Sequence, residues 1–279
     1  MKNVQRIALT ASISVITAGL AGCGAGTVLK AQWERYFSGA SAGETRVDWV
    51  RAVHVDSYGN VVASGSSVQI GSNRQEDILV ASHSATGAIN WVKTFDLPKA
   101  GFNSGETTTA ATMDEVGNTY VVGNATRIST TDNSVVEYAG FLSKIDTYGN
   151  LAWSKTFVGE ERIQDVEFRN GLIYVGGSKT RVFNTDGTKT LEIDHGGASV
   201  WDVAADNVGN IYVCGGAFEA KYAANGNLLW QVNNPSEVNM HCTVSVTQYG
   251  GVYVAHEIYF ADQLRVAKIS EAGNVEWVK

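Results

Sequence analysis

The sequence predicts an all-β fold, a β-propeller of five four-stranded blades, and three observations carry that prediction. The stretch Asp206-Asn-Val-Gly209-Asn210-Ile-Tyr212-Val-Cys-Gly215 recurs as Asp56 to Gly65 and Asp114 to Gly123, and more loosely as Asn170 to Gly177 and Thr247 to His256. A second series of turns, centred on Gly87, Gly149, Gly187, Gly226 and Gly273, alternates with the first. Thirty glycines against two prolines in 279 residues suit many short strands joined by tight turns.

Each copy of the first series is a turn feeding a strand. Glycine supplies the positive-φ position of a tight hairpin, while Asp and Asn bond the local backbone. The β-branched and aromatic residues that follow alternate as on a pleated strand. In the second series a tryptophan stands four residues beyond the glycine in four repeats (Trp91, Trp153, Trp230, Trp277), and Leu191 stands there in the remaining one. Lys144, Lys221 and Lys268 share one position before that glycine, where the other two repeats have Ser82 and Val182. Strand A thus precedes the first glycine, B follows it, C precedes the second glycine, and D carries the tryptophan. The blades fall at 45–95, 105–157, 161–194, 198–233 and 239–279. A unit of this size cannot bury both sheet faces alone, so the blades must stack, with the tryptophans expected between them. Trp33 to Phe37 is a sixth D-like segment, which either closes the ring beside the last blade or lies outside as an extra edge strand.

The N-terminus reads as an address. Lys2 and Arg6 form a positive region, and Ile7 to Leu20 is an apolar run too short to span a bilayer comfortably. It ends in Leu20-Ala21-Gly22-Cys23, which resembles the lipobox of bacterial lipoproteins. That resemblance implies cleavage before Cys23 and lipidation of Cys23. With Gly24 in place of the aspartate that signals retention, it also implies the outer membrane if the host is diderm. The expected organisation is a signal peptide (1–22), a lipidated N-terminus with linker and extra strand (23–44), and the propeller (45–279). Lipid would be the anchor, making the membrane a partner.

The repeat as a whole, Asp-x-x-Gly-Asn-x-Tyr-Val-x-Gly and then Lys-x-x-x-x-Gly-Asn-x-x-Trp-x-Lys-x-Phe, resembles the bacterial β-propeller repeat called SBBP. The likeness covers roughly 45–279 and is strongest in blades 1, 2 and 4. It implies a propeller in an envelope or secreted setting and no single activity, since a fold does not give a function. A weaker similarity, lipobox plus propeller, is to the propeller lipoprotein of the outer-membrane barrel-assembly machinery, which has more blades.

A formal charge of −7 with no basic run argues against a nucleic-acid surface. No cofactor is expected. His256-Glu257 is half of a zinc-protease motif whose second histidine is replaced by Phe260, and no Gly-x-Ser-x-Gly elbow occurs. On the A strands expected to line the channel, His54, Asp165, Asp202 and His241 come from different depths and form no obvious pair. One position stands out: His256 occupies the place of Gly65, Gly123, Gly177 and Gly215. Hairpin pairing sets Cys242 roughly opposite His256, with His241 and Glu257 alongside. His241, Cys242 and His256 are therefore candidate metal ligands, and a polar cross-strand pair is the plainer alternative. A Cys214–Cys242 disulfide would compete for the same cysteine.

Topology offers a further clue. In an A-B-C-D meander the A–B and C–D turns share one face, and here they are uniformly tight. The B–C and D–A connections share the other face and read as long and variable: 38–46, 66–76, 96–106, 124–137, 234–239 and 257–261. Those around blades 1 and 2 carry Arg74, Gln75, Glu76, Asn103, Arg127, Asp132 and Asn133, the candidate binding residues. The sequence thus favours a non-enzymatic binding or scaffold module recognising an envelope protein or glycan. A glycan hydrolase or lyase, or a glycan-binding lectin, is the alternative.

Overall fold

The computed structural model describes residues 11–15, 33–37, 46–69, 76–97, 102–129, 131, 134–159, 162–216, 218–233, 241–247, 251–258 and 263–279. Five four-stranded antiparallel meanders follow one another, as the two turn series require. Blade 1 is β3 (Arg46–Val55), β4 (Val61–Gln69), β5 (Glu76–His83) and β6 (Ile89–Phe95), after two N-terminal strands β1 (Ala11–Val15) and β2 (Trp33–Phe37). Blade 2 is β7 (Phe102–Met113), β8 (Thr119–Ser129), β9 (Val135–Ile145) and β10 (Leu151–Val158). Blade 3 is β11 (Ile163–Arg169), β12 (Leu172–Gly177), β13 (Lys179–Asn184) and β14 (Lys189–Asp194). Blade 4 is β15 (Val200–Ala205), β16 (Ile211–Gly215), β17 (Phe218–Tyr222) and β18 (Leu228–Asn233). Blade 5 is β19 (Cys242–Val246), β20 (Val252–Ile258), β21 (Gln263–Ile269) and β22 (Val275–Val278).

The A–B turns of blades 1, 2 and 4 are wired identically. One carboxylate oxygen of Asp56, Asp114 and Asp206 accepts the backbone N–H groups two and four residues on, and the other accepts the Asn60, Asn118 or Asn210 amide. Gly59, Gly117 and Gly209 complete these turns at φ 79°, 95° and 85°. The glycine closing strand B has a different cause. A Cβ on Gly65, Gly123, Gly177 or Gly215 would lie 1.7, 2.0, 2.2 or 2.6 Å from a backbone carbonyl of strand A or of the residue just before it. In each of those four blades the A–B register slips by one residue nearby, so a bulge presses the A backbone onto that glycine.

Cores form between successive blades. Tyr120, Val122 and Leu142 of blade 2 pack with Ile163, Val166, Ile173, Val175 and Phe183 of blade 3. Trp91, Trp153 and Trp230 lie in these seams as expected, and each donates its indole N–H to a carbonyl in the next blade's C–D turn: Thr147 at 3.1 Å, Thr185 at 3.2 Å and Glu271 at 2.9 Å. Trp277 does not follow, being 38% exposed on the last strand. Polar side chains on the A strands add stitches, from Asp165 to the Val203 N–H (3.1 Å) and from Asp202 to the Val244 N–H (2.8 Å).

Of the two placements open for Trp33 to Phe37, the structure has the extra strand outside the blades, and one expectation about the connections is corrected. The segment Trp33 to Phe37 is not a strand of the last blade. It pairs antiparallel with β1, and β1 runs beside β3 of blade 1. The connections read as 66–76 and 124–137 are strand at both ends in their described residues, because β4 continues to Gln69 and β5 begins at Glu76, while β8 continues to Ser129 and β9 begins at Val135.

Candidate functional site

Those longer strands build one face of the molecule. β7, β8 and β9 run for 12, 11 and 11 residues, against 6, 5 and 5 for β15, β16 and β17. The turns at the opposite rim are matched in register, so the excess projects on the B–C and D–A side. Blades 1 and 2 thus form a ledge, which carries ion pairs and a cross-blade hydrogen bond among its described residues. Arg46 bonds Asp77 at 2.5 Å, Arg127 lies 2.9 Å from Glu137, and Thr107 donates to Glu76 at 2.6 Å.

Of the sequence candidates, Arg74, Gln75, Asp132 and Asn133 lie outside the described residues, as does Cys23. Asn103 lies on β7. Glu76 and Arg127 come to the same ledge, but both are used internally. Arg127 is 5% exposed, and besides Glu137 it donates to the Leu97 carbonyl at 3.4 Å. These two residues shape the ledge and do not reach outward from it.

Sequence reasoning missed Glu106 on β7, which is fully buried and accepts the Ser104 hydroxyl. Carboxylate oxygens of Asp77, Asp96 and Glu106 lie within 4.8 Å of one another. Burial, and then the charges of Asp96 and Asp77, push Glu106 up to about 8, so it holds its proton at neutral pH. Three acids from β5, the end of β6 and β7 share no local motif, so no sequence signal marked them.

The proposed ligand set in blade 5 is corrected. Cys242 is joined to Cys214 by a disulfide, with Cα atoms 6.1 Å apart, so no thiolate is available to a metal. His256 is buried against blade 4, where Nε2 lies 2.5 Å from Glu219, and Arg265 stands 3.7 Å from the same carboxylate oxygen. His241 is exposed, stacked edge-on against Trp201 and 3.3 Å from Glu257. Cys242 and His256 do face each other as hairpin pairing required. Their side chains are taken by different partners.

The channel also differs from expectation. Asp165 and Asp202 lie side by side, and burial, followed by the influence of Asp202, raises Asp165 well above the usual carboxylate range. They line a cavity of about 320 Å³ with Glu167, Arg169 and residues of β15 and β19. Both carboxyls also hold a neighbouring blade's backbone, and Asp202 accepts the Thr243 hydroxyl at 2.5 Å. In this structure each carboxyl ties its own blade to the next.

No family model and no curated protein sequence matches the chain. Among solved structures, the Dos1 propeller superposes with a TM-score of 0.52 at 11% identity, over 80% of this chain and 55% of that one. A protein of unknown function from Bacteroides caccae gives 0.47 at 13% identity, over 90% and 85%. The C-terminal WD40 domain of Sif2 gives 0.47 at 10% identity, over 86% and 72%. Likeness at such identities concerns fold alone. The chain is a β-propeller of five four-stranded blades.

Proposed function

We propose that this propeller is a non-enzymatic binding or scaffold module of a bacterial envelope, held to a membrane by lipid on Cys23, that meets an envelope protein or glycan through its B–C and D–A face. The lipobox resemblance at Leu20 to Cys23 supports the anchor and the division into a signal peptide (1–22), a lipidated segment (23–44) and the propeller. The SBBP-type repeat fits the same setting. Among the described residues no helix is long and apolar enough to cross a membrane. Cleavage before Cys23 would remove β1 and leave β2 without its paired strand.

The observation that carries the binding reading is the ledge. Strands A to C of blade 2 run about twice as long as those of blade 4, and those of blade 1 also run longer. Ion pairs tie strands together within each of the two blades, and Thr107 bonds Glu76 across them. Rigid elements present a surface at little entropic cost on binding. The opposite rim offers the competing surface, since Tyr58 and Tyr148 project from its turns at 80% and 79% exposure.

Replacing Cys23→Ser is expected to release the protein from membranes and to block processing; unchanged membrane attachment would overturn the anchor. Photo-crosslinking residues placed at Val135 and Tyr138 on the ledge, and at Tyr58 and Tyr148 on the rim, decide the face. Crosslinked species from the ledge sites alone are expected in native envelopes. Adducts confined to the rim sites would overturn the ledge.

A further inference from the structure

Blade 1 departs from its sisters at two positions that face each other, and the departure opens a cavity. In blades 2 and 4, strand B carries Tyr120 or Tyr212 and strand C carries Lys144 or Lys221 directly across from it. Each lysine ammonium lies over its tyrosine ring, 5.4 and 5.0 Å from the centroid. Both tyrosines and Lys221 are buried and Lys144 is half-buried, and each pair occupies the seam to the next blade. Blade 1 has Val62 and Ser82 in those places, again paired across the strands. The volume they leave is a cavity of about 360 Å³ between blades 1 and 2, lined by Asp56, Asn60, Asn90, Trp91, Thr147 and Tyr148 among others.

The missing side chains also leave two acceptors with fewer partners. In blades 2 and 4 the second carboxylate oxygen of Asp114 and Asp206 accepts both an asparagine amide and the tyrosine hydroxyl, the latter at 3.0 and 3.1 Å. Asp56 Oδ2 accepts the Asn60 amide at 2.8 Å, and Val62 brings no hydroxyl. The Thr185 carbonyl accepts both Trp153 Nε1 and Lys144 Nζ, each at 3.2 Å. Its counterpart, the Thr147 carbonyl, accepts Trp91 Nε1 at 3.1 Å, and Ser82 brings no ammonium. Both under-used acceptors belong to residues lining the cavity, beside the Trp91 ring. A carboxylate, a carbonyl and an aromatic wall suit a cationic donor. The nearby cation, Lys93, is turned to Asn150 at 3.4 Å.

We propose that this cavity binds the primary ammonium group of a ligand, seated where blades 2 and 4 keep their own lysine. The site lies at the tight-turn rim, so it stands or falls independently of the ledge. The ammonium would donate to the Thr147 carbonyl, as Lys144 does to that of Thr185, with the Asp56 carboxylate as its counter-charge and its carbon stem against Trp91 and Val62. The group has two sources with one chemistry, a free alkylamine or the end of a lysine side chain.

The test is equilibrium binding to the full chain in detergent, by calorimetry and by ligand-observed NMR. The probes are cadaverine, Nα-acetyl-lysine amide, and glucose as an amine-free comparison. Saturable binding of at least one amine, with none of glucose, is expected, and the tighter amine identifies the source. Ser82→Lys, alone and with Val62→Tyr, restores the sister-blade filling. These variants are expected to melt at or above the parent temperature and to lose amine affinity at least tenfold. The proposal is overturned by absence of saturable amine binding into the tens of millimolar, by glucose binding in place of the amines, or by full amine affinity in folded Ser82→Lys. If the double variant fails to fold, the single variant decides.

Discussion

Blades 4 and 5 are written in the same repeat and end in different states. Tyr212 is fully buried, whereas Tyr253, at the same repeat position, is 43% exposed. Trp230 donates to the turn of blade 5, and Trp277 is 38% exposed on β22, every residue of which is exposed. Both blades present a near face that is buried, with Val244, Val252, Val254 and Ile269 of blade 5 packed on Tyr212 and Cys214 of blade 4. The far face decides the difference: blade 4 has blade 5 against it, while Thr243, Ser245, Tyr253 and Leu264 of blade 5 lie open. The repeat sequence determines the strand, and the neighbour determines what that strand buries.

The comparison breaks most directly at the tyrosines. Tyr212→Ala is expected to cost about 3–5 kcal/mol, as removal of a buried aromatic does. Tyr253→Ala should cost about 1 kcal/mol or less, in the range of surface changes. Urea denaturation of both variants against the parent gives the two numbers. Equal costs would show the far face of blade 5 to be covered in solution.

The same contrast shows what the sequence made legible. Turn residues act locally, so the two alternating series of glycine turns predict five meanders, and the tryptophan register predicts the seams. The role of Gly215 was not legible, because the Ser199 carbonyl that a Cβ would meet is brought there by a bulge in another strand. Where His256 replaces that glycine, the β19–β20 register runs without a slip, so the anomaly seen in sequence marks an unbulged hairpin rather than a metal site. Glu106, Asp96 and Asp77 meet only once blades 1 and 2 stack. Their separations in sequence, and that of Asp165 from Asp202, match no local motif, and only the seam geometry brings them together.

The disulfide sharpens the comparison next. Cys214 and Cys242 are 28 residues apart and join strand B of blade 4 to strand A of blade 5. Closing a loop of that length stabilises by about 3.5 kcal/mol in the chain-entropy account. Cys242→Ala removes it while leaving Cys214 a buried thiol, a tolerated state for a small apolar side chain. The variant is expected to lose about that amount, and the parent should lose as much on reduction. Limited proteolysis should then cut blade 5 first, since its far face is already open. A reduced parent that melts and digests as the oxidised one does would remove the disulfide from the account of how blade 5 is held.

The smallest effect tests the other side of blade 4, where the seam to blade 3 holds His195. Its Nε2 lies 2.9 Å from the Thr180 hydroxyl and its Nδ1 3.2 Å from the Tyr222 hydroxyl, with the ring against Phe218. Burial lowers this imidazole from its ordinary 6.5 to about 4, with the Asp194 charge opposing. The sign follows from proton counting. Between those values the unfolded chain binds a proton that the native chain excludes, so acid favours unfolding. The stabilisation tied to this group is complete above about pH 6.5 and is lost progressively as the pH falls towards about 4. Linkage makes the loss on the order of 3 kcal/mol, which carboxylate titrations will overlay. His195→Phe keeps an aromatic ring in the seam and removes the titration. The difference between parent and variant stability, measured by urea unfolding at half-unit steps from pH 4 to 7, should therefore climb with pH and level off near neutrality. A difference that stays constant across that range would mean the imidazole ionises as freely in the folded protein as in the unfolded chain, and that the seam between blades 3 and 4 admits water as the open face of blade 5 does.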